Sequence, residues 1–259
     1  MNIHIIGGGN LGTAIAIGIS KFTTDNSVTI TRRNTASIKY LEEQNIKVAS
    51  NNVHEIKTAD VVILSIKPHQ VDAVLTEILP HLAEKTIIAS AVSGFSIEKI
   101  QQQIGSSRPV VHIMPNIAIR FGESATCISF EPNNSNLAQP IISLFEKLGT
   151  VAIIDEKLMD AATVLGACGT AYALRYIRAS MQAGIEIGFD AQTALAIASQ
   201  TAKGAATMAL VEKIHPEQLI DRVTTPQGCT IVGLNEMEHN GFSSSLIKGI
   251  KTSLKKIVG

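Results

Sequence analysis

The chain has 259 residues, with 22 basic and 22 acidic side chains and a hydrophobic content of 45%. This balanced charge gives no reason to expect nucleic acid as a partner. No apolar run reaches the roughly 18 residues that a membrane span needs. The N-terminus lacks a signal-peptide pattern, and the three cysteines form no close pair that would predict a disulfide framework or a zinc site. The composition therefore predicts a cytoplasmic globular protein that binds no metal.

In the first part of the chain, short apolar runs alternate with helical patterns. Strands are predicted over residues 3–6, 28–31, 60–66, 86–91, 110–114, 126–130 and 151–154. Several of these runs are apolar at successive positions, which is typical of strands covered on both faces. Helices are predicted between them, for example over residues 71–79 and 136–148. This alternation predicts an α/β fold for residues 1–156, with a parallel, doubly wound sheet of the Rossmann type.

The second part of the chain, residues 157–259, lacks strand patterns. Helices are predicted over residues 158–188, 191–211, 216–223, 228–240 and 243–257. The second of these helices carries alanine on almost every face, and a helix that is apolar all round has to be buried. A domain of about 100 residues has too little interior to bury several such helices. We therefore expect an all-helical domain that associates into a homodimer.

A glycine-rich turn follows the first predicted strand. The residues from Gly7 to Gly12 read G-x-G-x-x-G, between that strand and a helix predicted over residues 11–21. The first glycine of this pattern permits a tight turn, the second admits phosphates to the backbone, and the third lets the helix pack on the strand. A pyrophosphate then lies against the first N–H groups of the helix. Contacts with a dinucleotide are thus predicted at Gly7, Gly9, Asn10, Leu11 and Gly12.

The end of the second predicted strand favours NADP over NAD. An acidic residue at this position binds the free ribose hydroxyls of NAD, whereas a basic group accommodates the 2′-phosphate of NADP. Here Arg32 and Arg33 follow the strand, and the next acidic residue is Glu42. Since an arginine pairs well with a phosphate dianion, we expect NADPH to be preferred, with NADH as the alternative donor. The competing interpretation is two arginines that are simply solvated.

Further polar residues end strands of the predicted sheet, at the edge where such sheets bind ligands. Ser65, Lys67 and Pro68 follow one strand, and Asn116 follows another. We expect these residues to contact the cofactor, with Asn116 offering its amide to the nicotinamide or the substrate. Lys67 is also a candidate general acid, although a lysine at a strand end is more often solvated. His112 lies within an apolar strand and is interpreted as a core residue.

A second concentration of unusual residues lies in the helical part of the chain. Residues 223–230 read as a loop that opens a helix, so the N–H groups of Gly228, Cys229 and Thr230 predict a site for a small carboxylate. Thr225 and Thr230 add hydroxyl groups that both donate and accept hydrogen bonds. The competing interpretation is an ordinary capped helix start.

The chain resembles the pyrroline-5-carboxylate reductase family from end to end. The shared segments are GGGNLG at the N-terminus, KP after the run at 60–66, the MPN loop, the helix QTAKGAATM and the stretch HPEQLIDRVTTPQGCTIVGLNEMEHNGF. The last stretch is the most specific, because its order of residues is not a general dehydrogenase feature. The resemblance implies a Rossmann domain followed by a helical dimerisation domain that also binds substrate. It further implies dimers that can assemble into larger oligomers, often decamers.

The resemblance also implies a reaction. An enzyme of this family transfers a hydride from the nicotinamide of NAD(P)H to the C=N carbon of 1-pyrroline-5-carboxylate, which gives L-proline. Thr230 is then the catalytic residue and hydrogen bonds the ring nitrogen. The N–H groups of Gly228, Cys229 and Thr230, with the Thr225 hydroxyl, hold the carboxylate. Orientation of the reactants in a small closed site carries most of the catalysis.

Three segments depart from the usual family pattern. Gln227 replaces a glycine of SPGGTT, residues 166–172 read GACGTAY in place of SGSGPAY, and residues 114–119 read MPNIAI in place of MPNTPA. Gln227 bears directly on the geometry of the carboxylate site, since a glycine there is free to adopt a positive φ. Two alternatives therefore remain open. They are a reductase of another small carboxylated imine or keto acid, and an NADP-binding protein without catalysis.

Overall fold

A computed structural model of the chain describes residues 1–258. These residues divide into two compact units, one of Met1–Cys168 together with the chain from Lys256, and one of Gly169–Lys255. The first unit contains the sheet and the second is built from helices, which confirms the predicted fold class. The units meet in the sequence at Gly169. The boundary between functional domains, expected between residues 156 and 157, stays a prediction.

The strands of the first unit form a single sheet. They are β1 (Asn2–Ile6), β2 (Ser27–Thr31), β3 (Ile46–Ala49), β4 (Val61–Leu64), β5 (Ile87–Ser90), β6 (Val110–Met114), β7 (Ser124–Phe130) and β8 (Gly149–Ile153). Their order across the sheet is β3-β2-β1-β4-β5-β6-β7-β8, and β1 to β6 are parallel. The order reverses between β1 and β4. In a doubly wound sheet, ligands bind in the crevice at the carboxyl ends of the strands on either side of such a reversal.

Helices cover both faces of this sheet. They are α1 (Asn10–Phe22), α2 (Val71–Ile78), α3 (Ile97–Ile104), α4 (Ser135–Glu146) and α5 (Met159–Ala162). On one face α1 and α4 bury Ile15 and Phe145 against strand residues such as Ile63. On the other face α2 and α3 bury residues such as Leu75 and Ile100. The continuous apolar character of β4 follows from this double coverage, because its side chains point alternately to the two faces.

Residues 169–258 form five helices, namely α6 (Gly169–Glu186), α7 (Ala191–Glu212), α8 (Pro216–Arg222), α9 (Cys229–His239) and α10 (Phe242–Val258). Asp190 caps α7 by accepting hydrogen bonds at 3.0 Å from the N–H groups of Gln192 and Thr193. Helices α6 and α7 approach closely at Gly184, where a Cβ atom would lie 3.0 Å from the Cβ atom of Ala194. Small residues thus permit a tight contact between these two helices.

Strand β7 departs from the parallel arrangement expected for the whole sheet. It pairs antiparallel with β6, whereas β8 pairs parallel with β7. The reason is the short connection at residues 115–123, which contains the 3₁₀ turn Ile117–Phe121. A parallel return needs a crossover of a dozen or more residues, which the β6–β7 connection lacks and the β7–β8 connection, with α4, provides.

Two other segments differ from the predicted elements. Strand β3 was not predicted, because Lys47 interrupts its short apolar run at the edge of the sheet. The single helix predicted over residues 158–188 is instead composed of a 3₁₀ turn at Glu156–Leu158, α5, the π-helix Thr163–Cys168, and α6. Hydrophobic periodicity does not distinguish these closely related helical geometries, so the sequence alone predicted one continuous helix.

Candidate functional site

The glycine turn after β1 has the geometry of a dinucleotide cradle. Gly7 has a φ of 111°, and a Cβ atom there would lie 2.2 Å from the carbonyl oxygen of Ser65. A Cβ atom on Gly12 would lie 2.0 Å from the carbonyl oxygen of Gly7. By contrast, a Cβ atom on Gly9 would meet nothing within 4 Å, so the second glycine faces open space. The turn is therefore tightly packed at Gly7 and Gly12 and open at Gly9, as a phosphate-binding turn requires.

Helix α1 begins at the open side of this turn. Gly9 is its N-cap residue, and Asn10 and Leu11 are its first two residues. The N–H groups of a first helical turn have no partner within the helix, and the helix dipole makes this end electropositive. The predicted cofactor residues from Gly7 to Gly12 are therefore brought together in one concave segment that fits a pyrophosphate.

A series of hydrogen bonds through Thr31 and Asn52 stabilises the glycine turn. The Thr31 carbonyl accepts the N–H groups of Gly7 at 3.2 Å and Gly8 at 2.9 Å. The Thr31 hydroxyl donates to Asn52 Oδ1 at 2.7 Å, and Asn52 Nδ2 donates to Glu77 at 2.9 Å. Sequence reasoning missed Asn52 because it lies in a loop without a motif. Its side chain fixes the strand end on which the turn rests.

The two arginines lie at the end of β2, as predicted. The Arg32 guanidinium donates to the carbonyl oxygen of Gly8 at 2.7 Å, which ties the side chain to the glycine turn. Arg33 follows it and is exposed. The two cations therefore stand beside the cradle, where the ribose of a dinucleotide lies in this fold.

Ser65, Lys67 and Pro68 follow β4, next to the cradle. The Ser65 N–H donates to the carbonyl oxygen of Ile6 at 2.8 Å, which continues the pairing of β4 with β1. Lys67 is exposed, and its N–H donates to Gln70 Oε1 at 3.1 Å at the start of the 3₁₀ turn Pro68–Gln70. The exposed Lys67 has the environment of a solvated lysine, so its geometry gives no support to the role of general acid.

Asn116 is buried at the end of β6 and its carboxamide is already engaged. Its Oδ1 accepts the N–H group of Ala118 at 2.9 Å, and its Nδ2 donates to the carbonyl oxygen of Gly166 at 3.2 Å. Its own N–H donates to Ser124 Oγ at 3.1 Å. The sequence predicted that this amide is offered to the nicotinamide or the substrate, but one of its two N–H donors and one of its two acceptor positions are used within the protein.

His112 is a buried residue of β6, in agreement with its interpretation as part of the core. Its Nδ1 lies 3.1 Å from Oε1 of Glu156, which also accepts the Ile97 N–H group at 2.7 Å. Burial raises the pKa of Glu156, but the hydrogen bonds from His112 and Ile97 outweigh this effect and hold that pKa below its ordinary value. Glu156 therefore links β6 to the first turn of α3.

In the helical unit, the segment from Thr225 to Gly228 forms a tight turn. The Gly228 N–H donates to the Thr225 carbonyl oxygen at 2.9 Å, and Gln227 has a φ of 60°. Pro226 precedes Gln227, and a proline followed by a residue of positive φ is typical of a type II turn. Gln227 thus adopts a positive φ that glycine would take freely, at a strain cost of about 1–3 kcal/mol.

This turn corrects one detail of the predicted carboxylate site. The Gly228 N–H is occupied by the turn and is not a free donor. The remaining donors at this end of α9 are the N–H groups of Cys229 and Thr230, which belong to its first turn. A Cβ atom on Gly228 would lie 2.5 Å from Thr225 Oγ1, so the hydroxyl of Thr225 folds over the start of the helix. Thr225, Cys229 and Thr230 are all exposed in this chain.

The helical unit leaves much of its apolar surface uncovered. Within residues 169–255, the buried apolar side chains are those of Ala194, Ala198 and Leu219. Exposed large apolar residues include Leu174, Ile185, Ile187, Leu195, Ile197, Leu210, Val211, Val232 and Ile247. Patches of this extent mark contact surfaces in soluble proteins. The surface fits the expectation from the alanine-rich pattern of α7 that this unit requires a partner.

Two features are absent from the residues that the structure describes. No helix among them is both long enough and apolar enough to cross a bilayer. They also contain no cluster of three or more histidine, cysteine, aspartate or glutamate side chains placed to hold a metal ion.

Comparison with known families gives two matches, one in the sheet unit and one that includes the helical unit. Residues 2–94 match a family described as "NADP oxidoreductase coenzyme F420-dependent". Residues 156–258 match a family described as "Pyrroline-5-carboxylate reductase dimerisation". The first match contains the glycine cradle, and the second contains the turn at Thr225–Gly228.

Three relatives extend this similarity to the whole chain. "Pyrroline-5-carboxylate reductase 2" of Dictyostelium discoideum is 42% identical over 98% of this chain and 91% of its own length. "Pyrroline-5-carboxylate reductase 1" of the same organism is also 42% identical over 98% of this chain, which spans about half (49%) of that longer relative. The crystal structure of Plasmodium falciparum pyrroline carboxylate reductase with NADP bound has a TM-score of 0.86 at 26% identity. That match covers 99% of this chain and 96% of the other.

Proposed function

The chain belongs to the pyrroline-5-carboxylate reductase family, and on that premise we propose that it reduces 1-pyrroline-5-carboxylate to L-proline with a hydride from NADPH. Near-complete coverage of a 42% identical relative confirms the family predicted from the sequence. The predicted class of NADP-dependent oxidoreductase is confirmed with it. The observation that carries the proposed reaction is the presence in one chain of an open dinucleotide cradle and a segment that matches the dimerisation region of these reductases.

The residues of the first unit bind and orient the cofactor. The N–H groups at the start of α1 and the open face at Gly9 receive the pyrophosphate. Arg32 and Arg33 pair with the 2′-phosphate, which only NADP carries. Ser65, Lys67 and Pro68 border the nicotinamide half, at the carboxyl end of β4. When bound, NADPH supplies the hydride that the C=N carbon of the substrate accepts.

The residues of the helical unit bind the substrate. The N–H groups of Cys229 and Thr230, at the electropositive end of α9, hold the carboxylate together with the Thr225 hydroxyl. The Thr230 hydroxyl hydrogen bonds the ring nitrogen, where a proton makes the neighbouring carbon electrophilic. No covalent nucleophile is required, so orientation of the imine supplies most of the rate enhancement. Gly228 serves this site through the turn that places Thr225, because a side chain there would displace the hydroxyl.

The proposed active form is a homodimer in the cytoplasm. The apolar surface of the helical unit supports association, because it is too extensive to remain in contact with water. The partner copy would cover the exposed Thr225, Cys229 and Thr230 and exclude water from the reaction. Assembly of dimers into a decamer stays a prediction from the family resemblance.

A substrate comparison tests the proposed function. Purified protein is mixed with NADPH and one of three oxidants: 1-pyrroline-5-carboxylate, 1-pyrroline without the carboxylate, or a small 2-oxo acid. We expect rapid oxidation only with the first, because the carboxylate site and the ring-nitrogen contact both require it. Faster oxidation by the oxo acid would support the alternative of a keto-acid reductase. Binding of NADPH without oxidation by any of the three would support a non-catalytic NADP-binding protein.

A variant then tests the assigned catalytic residue. Thr230→Ala removes the contact to the ring nitrogen and retains the backbone N–H groups of α9. We expect kcat to fall by about tenfold or more, because a hydrogen bond to a charged group contributes roughly 1.5–3 kcal/mol. The Kd of NADPH, measured by its fluorescence, should remain close to that of the wild type. Equal losses in both quantities would contradict the role given to Thr230.

A further inference from the structure

A buried asparagine joins three segments at the carboxyl end of β6, two of them through its carboxamide and one through its backbone N–H group. Asn116 is 8% exposed and hydrogen bonds with Ala118 in the 3₁₀ turn, with Ser124 at the start of β7 and with Gly166 in the π-helix. Ser124 Oγ also lies 2.9 Å from Thr126 Oγ1, and both of these side chains are fully buried. The cluster is a polar network at the sheet edge where ligands of this fold bind.

The partners of Asn116 fix the orientation of its amide group. The N–H of Ala118 is a donor and requires the amide oxygen, whereas the carbonyl of Gly166 is an acceptor and requires the amide nitrogen. Only one orientation satisfies both contacts. Neither a carboxylate nor a hydroxyl of similar size can replace the asparagine, because the carboxylate has no donor and a serine is too short to reach both partners.

The segment held by Asn116 has an unusual helical geometry. Thr163–Cys168 is a π-helix between α5 and α6, and such segments occur mostly as single turns at functional sites. Directly before it, Met159 and Ala162 of α5 pack with Met114 of β6 in a small apolar cluster. Gly166 lies beside β7, where a Cβ atom would be in van der Waals contact, 3.7 Å from the carbonyl oxygen of Ala125. The hydrogen bond from Asn116 thus attaches the π-helix directly to the strand end.

We propose that Asn116 is a positioning residue that clamps the π-helix Thr163–Cys168 to the carboxyl end of β6, and is not a direct ligand of the nicotinamide. This inference rests on the proposed function, because it places the clamp at the edge of the sheet where imine and nicotinamide meet. The clamp fixes the wall of that crevice formed by residues 163–168. Its loss leaves the phosphate cradle intact and misplaces the substrate.

Two substitutions and a matched control isolate the clamp. Asn116→Asp retains the acceptor for Ala118 and replaces the donor to Gly166 with a carboxylate oxygen that repels the carbonyl. Asn116→Ser retains a short capping group and provides a second variant if the aspartate variant fails to fold. The control is Asn51→Ala, because Asn51 accepts the Val53 N–H at 2.9 Å in the same two-residue cap geometry, in a loop that is distant in the sequence from the π-helix.

The experiment measures hydrogen exchange by peptide mass spectrometry, with the Kd of NADPH and the kcat of imine reduction on the same samples. In Asn116→Asp we expect the rate of amide exchange within residues 163–168 to rise by about tenfold, because one hydrogen bond of roughly 1.4 kcal/mol is lost. Exchange in the first strands and the Kd of NADPH should remain unchanged, and kcat should fall by about tenfold. Asn51→Ala should change none of these within 163–168.

Two results would overturn the proposal. Unchanged exchange within 163–168 in both Asn116 variants would show that the side chain does not hold the π-helix. A higher Kd of NADPH with unchanged exchange would show that Asn116 contacts the cofactor directly. Because exchange and NADPH binding do not depend on the imine, both results remain readable if the wild-type protein fails to reduce 1-pyrroline-5-carboxylate, which would contradict the proposed function alone.

Discussion

The two units of the chain differ in how completely each covers its own apolar side chains. In the sheet unit, strands such as β4 are fully buried between helices on both faces. In the helical unit, α7 buries only Ala194 and Ala198, and large apolar residues point outward from most of the helices. The sheet unit therefore contains its own hydrophobic core. The helical unit requires an additional surface, which the proposed partner copy supplies.

The largest expected effect is in the core of the sheet unit. Ile63→Ala on β4 removes three carbon atoms at a fully buried position and leaves a cavity. We expect the free energy of unfolding to fall by about 2–5 kcal/mol, independent of protein concentration. Urea denaturation at two protein concentrations measures both properties. A loss below about 0.5 kcal/mol would contradict the assignment of this strand to the core, because only surface changes have such small effects.

A second effect in the sheet unit depends on pH. Burial lowers the pKa of His4 on β1 to about 4, although a hydrogen bond to the Asn52 backbone opposes the shift. Because the folded pKa is below the unfolded value of about 6.5, the folded state disfavours protonation. The contribution of the neutral His4 to the free energy of unfolding is complete above pH 6.5. It is lost as the pH falls toward 4, by up to about 3 kcal/mol. His4→Leu should remove this part of the acid dependence in urea denaturation between pH 7 and 4.

One result would contradict the role given to His4 in acid sensitivity. If the wild type and His4→Leu lose stability in parallel between pH 7 and 4, other groups account for the acid sensitivity. Asp155→Asn is a suitable control, because Asp155 is exposed and its ion pair with Lys157 at 2.9 Å lies on the surface, where such pairs contribute little to stability.

A substitution on the exposed apolar surface of the helical unit should weaken the association of two copies and leave the folding of the unit unchanged. Ile187→Asp places a charge on a side chain that is 77% exposed in the single chain. If a partner covers this residue, the dimer dissociation constant should rise by about 30-fold, the effect of roughly 2 kcal/mol at a buried contact. Sedimentation velocity over a range of concentrations measures the change. Gln192→Asp is the control, since it adds the same charge at an exposed polar position, and equal behaviour of both variants would contradict the contact.

The smallest expected effect concerns the choice of cofactor. Arg33→Ala removes an exposed cation beside the glycine cradle without changing the core. We expect the Kd of NADPH to rise by about tenfold, because one charge-assisted contact of roughly 1.4 kcal/mol is lost. The Kd of NADH should stay the same. Fluorescence titration with both nucleotides measures this. A parallel change for NADPH and NADH would show that Arg33 does not recognise the 2′-phosphate.

The sheet unit was predictable where local pattern and tertiary environment agree. The strand, glycine turn and helix at residues 2–22 follow directly from an apolar run and the spacing of Gly7, Gly9 and Gly12. Strand β3 and the reversal at β7 were missed because they depend on edge position and connection length. The contacts of Asn116 and Asn52 were not predictable, since each joins segments that are distant in the sequence.

The helical unit was predictable as helices but not in its contacts. The sequence correctly predicted that alanine-rich α7 carries more apolar surface than one small domain can bury. The turn at Thr225–Gly228 shows what the sequence left undecided. A glutamine in place of glycine raised doubt about the backbone, and the structure shows that Gln227 adopts the positive φ itself. The occupied N–H of Gly228 followed from that turn and could not be read from residue types.

The most direct test of the account follows a labelled hydride. Purified protein is incubated with NADPH that carries deuterium at the transferable C4 position and with 1-pyrroline-5-carboxylate, and the product is analysed by chiral chromatography with mass spectrometry. The account predicts L-proline that contains one deuterium atom on the former imine carbon. NADPH that binds to the protein but yields no deuterated proline would contradict the proposed reaction.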